Sequence, residues 1–277
     1  MRRRHRYFRN PILYVIAIIG AVMMIFPFLW MVSISLQAHV FVIEYPPKLI
    51  PDQPSLDNYV RAWISNNFQL YFLNSSITAI AATFGAVICS AMAAYAFARF
   101  QFKGKELLFT LFLIVLMIPD IVTIMPKFLL AKTLGLRNSL WGLILFYIGM
   151  NISLNTFLLR GFFESQPKEL EEAMVLDGAS PFTIFFRLAL PLAKPALATV
   201  TIFSFLANWD EFIWALTIID DPLKRTLPIA IYSFQGQHGT EWGLTFAAMI
   251  IALIPVILIF IALQRYFTGG LTTGAFR

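Results

Sequence analysis

Six stretches of the chain stay apolar long enough to cross a bilayer: Pro11 to Leu36, Phe72 to Ala98, Leu107 to about Leu129, Ser139 to Leu159, Ala196 to Ile219 and Gly243 to Leu263. A helix needs roughly 20 apolar residues to span the hydrocarbon core. The pattern therefore predicts an all-α membrane protein with six transmembrane helices, and an even number places both termini on one side.

The connections choose that side. Arg2, Arg3, Arg4, Arg6 and Arg9 precede the first span, and Arg99, Lys103 and Lys105 fill the short second connection. Basic residues accumulate on the cytoplasmic face, so both termini are expected there, although Lys127, Lys132 and Arg137 then fall near the outer face. The opening Met1-Arg2-Arg3-Arg4-His5-Arg6 resembles a signal peptide, but the apolar run after it is too long for one and lacks a small-residue cleavage site. The resulting plan is a cytoplasmic N-terminus (1–10), a first span (11–36), an extracytoplasmic loop (37–71), a block of five further helices (72–264) and a cytoplasmic tail (265–277). The loop holds Pro46, Pro47, Pro51 and Pro54, and Ser55-Leu56-Asp57-Asn58-Tyr59 is a plausible start of a surface helix.

Composition narrows the function. Of 277 residues, 59% are hydrophobic and 13% charged, too little charge to coat a soluble globule of this size. A net charge of +6 could suggest nucleic acid. The basic residues nevertheless sit at the N-terminus and in short connections, which is a topological pattern and predicts no nucleic-acid partner. The single cysteine, Cys89, lies in an apolar block and is expected as a buried packing thiol. His5, His39 and His238 are far apart in sequence, and none pairs with a cysteine at metal-ligand spacing, so no metal site is expected.

One connection is built differently from the rest. In residues 160–194, Ser165 or Gln166 can cap a helix starting at Pro167, with Glu169, Glu171 and Glu172 near its positive end. Asp177-Gly178 then supplies a glycine stop, and Ser180-Pro181 starts a second helix at once. Two short amphipathic helices on one turn, with Leu170, Ala173 and Met174 on an apolar face, suit insertion into a partner's groove.

Glu172-Ala173-Met174, three residues, Gly178, nine residues and Leu188-Ala189-Leu190-Pro191 resemble the EAA loop of binding-protein-dependent ABC importer permeases, E-A-A, three residues, G, nine residues, I-x-L-P. Met174 replaces an alanine and Leu188 an isoleucine, and the spacing is intact. Asn74-Ser75, Ala93 to Arg99, Gln264-Arg265-Tyr266-Phe267 and Gly270 to Ala275 resemble the carbohydrate-uptake branch, similar to the maltose permeases. So does Asn208-Trp209-Asp210-Glu211-Phe212-Ile213-Trp214, which has Ala215 where proline is usual. The likeness covers nearly the whole chain.

This resemblance implies a type I ABC importer permease fold, with residues 72–264 as the ABC transmembrane domain, in a prokaryotic plasma membrane. It also implies a homologous permease partner, an extracytoplasmic solute-binding protein and a cytoplasmic ATPase dimer that holds ATP and Mg, with no cofactor on this chain. The ATPase contacts implied are Glu172, Ala173, Met174, Asp177, Gly178, Leu190 and Pro191.

Intramembrane polar residues are the remaining candidates. Asp210 and Glu211 interrupt the fifth stretch, where an unpaired charge costs at least about 2.5 kcal/mol. With Asn208 and Trp209 they could line a solute path, the carboxylates accepting hydroxyl hydrogens and the indole stacking on a sugar ring. Asp120, between Pro119 and Pro126, and Asn151 and Asn155 are further candidates, with interhelical hydrogen bonding the competing role.

Two other classes remain to be weighed. An ion-coupled secondary transporter would use Asp120, Asp210 or Glu211, but no internal repeat relates the two halves. A membrane enzyme would need converging carboxylates, whereas neighbours on a helix point about 100° apart. No phosphate-binding loop is present, since Gly269-Gly270 lacks the following lysine, so the chain is not expected to be an ATPase. A permease for a non-sugar solute is also open.

Overall fold

The computed structural model describes residues 11–38, 40–41, 49–65, 67–236 and 239–274. The three histidines, the N-terminal arginines, Pro46, Pro47 and Ala275 lie outside the described residues. The helices are α1 (Pro11–Ser35), α2 (Asp57–Ile64), α3 (Phe68–Arg99), α4 (Lys105–Leu116), α5 (Ile124–Thr133), α6 (Leu140–Ser165) and α7 (Lys168–Leu176). They continue with α8 (Pro181–Ile184), α9 (Leu190–Leu192), α10 (Lys194–Trp209), α11 (Ile213–Ile218), α12 (Leu227–Ser233) and α13 (Trp242–Gly274). Two short strands, β1 (Gln235–Gly236) and β2 (Gly239–Thr240), pair antiparallel before α13.

The chain divides into two compact units, one of residues up to 66 with 231–251, the other of 67–230 with the residues from 252 onward. In the first, α1 exposes apolar surface along nearly its whole length and buries only Ser33, Ile34 and Ser35. Such a helix is stable where its solvent is hydrocarbon. The fully buried Asn58 of α2 closes its end, donating to the carbonyls of Ser35 (2.9 Å) and Gln37 (2.7 Å) that the helix leaves unpaired. Gly243 allows α13 to begin against this knot, since a Cβ there would stand 2.6 Å from both Asn58 Nδ2 and the Gln37 carbonyl. Arg61 of α2 meets both carboxylate oxygens of Glu241 at 2.6 and 2.9 Å. That hydrogen bonding raises the guanidinium pKa above its ordinary value, so Arg61 keeps its charge.

In the second unit, α3 lies against α6. It buries the small residues Ala79, Ala82, Ala86, Ala91 and Ala94, Ala82 clustering with Leu143, Ile144 and Tyr147 of α6, and Ala91 and Ala94 with Leu159 and Phe163 of α6 and Val200 of α10. Small side chains let helix backbones approach closely where no hydrophobic effect drives association. Gly85 faces Ile148 across the seam, and Ser90 Oγ donates to the Ile152 carbonyl at 3.3 Å. At one end Arg160 of α6 reaches Glu106 of α4 at 3.3 Å and lies 3.9 Å from the ring centre of Phe109.

Among the described residues, four helices are long and apolar enough to cross a membrane, or six when each of two bent pairs counts as one span. The third stretch, expected as a single helix from Leu107, is α4 and α5 joined through a 3-10 turn at Asp120–Thr123, with axes 100° apart. Pro119 sits extended at the break (φ −60°, ψ 132°), and proline disfavours helix in the residue before it. The fifth, expected from Ala196 to Ile219, stops at Trp209 and restarts at Ile213, while α10 is itself bent by 79° from the segment Pro181–Leu192. Cys89, expected to be buried, instead lies on an exposed face of α3.

Gly142 of α6 passes directly beneath the Leu136 carbonyl, leaving no room for a Cβ. Gly142→Ala should cost about 1–3 kcal/mol through this overpacking. It should lower the melting temperature of the detergent-solubilised protein, whereas Gly149→Ala, with open space around it, should not. Equal melting of the two variants would refute the close approach.

Candidate functional site

The helix pair between α6 and α10 forms for local reasons. The first turn of α7 carries Glu169 and Glu171, which suit the partial positive charge of a helix start. Pro167 takes the cap position (φ −59°, ψ 127°) with no side-chain cap, so the expected capping by Ser165 or Gln166 is not made and the helix begins one residue later. Gly178 ends the helix at φ +79°. Its N–H reaches the Val175 carbonyl at 2.9 Å and that of Ala179 reaches Met174 at 2.9 Å, the paired bonds of a Schellman stop. Ser180 then caps α8, accepting from the Thr183 N–H at 3.3 Å. Pro191 has no N–H to offer the turn before it, and the chain widens over Phe185–Ala189 to a π-turn, in which the Leu190 N–H bonds to Phe185 O.

Glu172, Ala173, Asp177, Gly178 and Pro191 are exposed, and Met174 and Leu190 half-buried. Leu176 at the tip of α7 is 89% exposed, and Phe182 at the start of α8 is 68% exposed. The pair thus presents acidic and apolar groups outward, uncovered by the other described residues.

Glu171 was missed by sequence reasoning. It points inward, Oε1 accepting from Arg99 Nε at 2.7 Å and Oε2 from the Tyr95 hydroxyl at 3.1 Å. Arg99 Nη2 also donates to the Gln166 carbonyl at 2.9 Å, and Gln166 Nε2 to the Ala189 carbonyl at 3.3 Å. The usable signal was Tyr95 and Arg99, four residues apart on one face of α3: an arginine ending an apolar helix needs a carboxylate if it is to be buried.

The intramembrane candidates are joined into a polar seam. Asn151 of α6 donates to the Tyr147 carbonyl and to Asn208 Oδ1 of α10, both at 2.8 Å, and Asn208 Nδ2 continues to Thr83 Oγ1 of α3 at 3.1 Å. Asn155 donates to Ser204 Oγ at 2.7 Å. Glu211 accepts from the Tyr147 hydroxyl (2.8 Å) and the backbone N–H groups of Trp214 (2.6 Å) and Ala215 (2.9 Å). It stands one residue before the Phe212 N-cap and receives the first free N–H groups of α11, so the break in the fifth stretch is satisfied within the protein.

Trp209 is only 3% exposed, stacks on Phe205 and donates its indole N–H to the Ala252 carbonyl at 3.1 Å, so its face is not open to a sugar ring. Asp210 differs from its neighbours: it is exposed, and its side chain makes no hydrogen bond or ion pair among the described residues. Asp120 is exposed and paired with Lys127 at 2.7 Å, beside a largely apolar cavity of about 600 Å³ between the bent third stretch and α6.

Bent intramembrane helices, an internally satisfied polar seam and an uncovered helix pair together describe a transport subunit that works through a partner. Residues 86–272 match the family described as the binding-protein-dependent transport system inner membrane component, and the chain belongs to that family. It is a multi-pass membrane permease subunit of an ABC importer and not an enzyme, since ATP hydrolysis belongs to separate ATPase subunits.

It is similar to the galactooligosaccharides transport system permease protein GanQ of Bacillus subtilis, 36% identical over 97% of this chain and 96% of that one. It is also similar to the trehalose/maltose transport system permease protein MalG of Thermococcus litoralis, 34% identical over 99% of both chains. The fold matches a chain in the crystal structure of a bacterial ABC transporter that imports the acidic polysaccharide alginate, with TM-score 0.82 and 22% identity over 96% of this chain and 100% of that one.

Glu211→Ala leaves the Tyr147 hydroxyl and two backbone donors unpaired, and should destabilise the protein by about 2–3 kcal/mol, against about 1 kcal/mol for Tyr147→Phe. The double variant should be no worse than Glu211→Ala alone in thermal melts. Additive losses would refute the shared bond.

Proposed function

We propose that this chain forms half of the transmembrane path of an ATP-driven importer for a carbohydrate. Its partners are a homologous permease, an extracytoplasmic solute-binding protein, and a cytoplasmic ABC ATPase dimer that carries ATP and Mg. Both termini face the cytoplasm, as the basic residues at the N-terminus and in the second connection favour. The permeases for galactooligosaccharides and trehalose/maltose that the chain resembles support a carbohydrate as solute.

The observation that carries the reading is the uncovered helix pair. A short helix with an outward Glu172, a small Ala173, and Leu176 projecting at its tip fits a groove with basic and apolar walls. Gly178 and Asp177 set the turn that holds α8 behind it, and Met174, Leu190 and Pro191 support the return. Opening or closing of the ATPase dimer then moves the pair as a rigid body and shifts the permease between two faces of access.

Within the spans, Asp210 is the candidate that stays available to a solute. Asn208, Trp209 and Glu211 hold the break open, and Asn151 and Asn155 hold α6 to α10. Asp120 lies at an exposed bend with its Oδ1 engaged by Lys127.

The test is uptake by the reconstituted complex, with cognate binding protein and radiolabelled oligosaccharides. Uptake should require ATP and ignore an imposed proton gradient; uptake driven by the gradient without ATP would reject the importer. Gly178→Pro, which forces φ near −65° where the turn needs +79°, and Glu172→Arg should both abolish uptake while the protein still inserts. Normal uptake in both variants would reject the coupling role.

A further inference from the structure

Two glutamates stand side by side on α7 and face opposite ways. Glu172 is exposed and makes no ion pair among the described residues, whereas Glu171 is turned inward and held by two side chains of α3. Arg99, the last residue of α3, has a side chain only 5% exposed, and Glu171 is 16% exposed. The same guanidinium holds the Gln166 carbonyl just before α7, and the Gln166 side chain holds the Ala189 carbonyl just after the π-turn. Tyr95 packs its ring against Phe163 at the end of α6 and Phe185 at the π-turn, with centroids 5.6 and 5.1 Å away. Glu171 thus binds α7 to Tyr95 and Arg99 of α3, Arg99 extends the tie to the entry of α7, and Gln166 carries it on to the return behind α8.

We infer that Glu171, Arg99 and Tyr95 form a latch that makes α7 and the long helix α3 one lever, so that displacement of α7 turns α3 instead of merely bending the loop. Glu171 and Arg99 are positioning residues for energy transmission. The inference rests on the proposed coupling role of α7 and assigns its inner face, as Glu172 belongs to the outer one.

The chemistry fits a force-bearing joint. An arginine fork grips a carboxylate and a carbonyl from one plane and so fixes orientation as well as distance, which a lysine ammonium cannot do. The pair is largely removed from water, so its attraction is weakly screened and its rupture is costly. The tyrosine hydroxyl occupies the second carboxylate oxygen, which keeps Glu171 from rotating away. α3 is also the helix whose buried alanines pack among α6 and α10 and whose Thr83 joins the polar seam, so a turn of α3 is felt at the break after Trp209.

The experiment compares Glu171→Gln, Arg99→Lys, Tyr95→Phe and the reversed pair Arg99→Glu/Glu171→Arg in the complete reconstituted complex. The readout is solute carried per ATP hydrolysed, with ATPase copurification measured in parallel. Glu171→Gln and Arg99→Lys should keep the ATPase bound and lower this ratio by roughly tenfold, the loss expected for one charge-assisted hydrogen bond. Tyr95→Phe, which removes only a hydroxyl, should lower it by a smaller factor while the ATPase stays bound. The reversed pair should recover part of the ratio.

An unchanged ratio in Glu171→Gln overturns the latch, and so does loss of the ATPase from the complex in Tyr95→Phe, which would make the contact a docking or folding element. If Glu172→Arg also leaves the ratio unchanged, the coupling role of α7 has failed, and not the latch alone.

Discussion

Hydrocarbon offers no hydrogen bonds, so each polar group that enters it has to find its partner inside the protein. The second unit is arranged around that demand. The side chains of Asn151, Asn208 and Thr83 form one continuous chain of donors and acceptors across α6, α10 and α3. Asn155 and Ser204 make a second crossing between α6 and α10. The apolar packing on either side of the seam uses alanines and glycines, because only small residues bring the helices close enough for short amide side chains to meet.

The same demand explains the irregular backbone. A break in an intramembrane helix exposes N–H groups, and here Glu211 receives two of them while the Tyr147 hydroxyl occupies one of its oxygens. The charge that looked anomalous in an apolar stretch is thus the element that makes the stretch divisible. Its neighbour Asp210 is left outside the arrangement, which is why these adjacent acids have different roles.

The positions of the spans were legible because hydropathy is a property of long windows. Where those spans break was less so, because hydropathy does not register which carbonyl or carboxylate will receive a freed N–H; Pro119 hinted at the third-stretch bend and the paired acids at an interruption after Trp209, but not that Glu211 would receive the N–H groups of α11. The helix pair could be read closely, since Gly178 and Ser180-Pro181 are local signals that act through the backbone. The difference between Glu171 and Glu172 could not, for it depends on the phase of α7 relative to Tyr95 and Arg99, more than seventy residues earlier in the chain. Cys89 failed for a similar reason: an apolar block does not say which of its faces meets lipid and which meets α6.

The break after Trp209 also bears on how the protein is made. Neither part of the divided stretch is long enough to cross alone, since α10 has 16 residues and α11 six, about 24 and 9 Å of helix against a core of about 30 Å. Both come later in the chain than Thr83, Tyr147 and Asn151, which are synthesised first. When Asn208 and Glu211 leave the ribosome their partners are already in the bilayer, so the order of translation supplies the binding site that lets a polar, interrupted segment enter a medium that would otherwise exclude it.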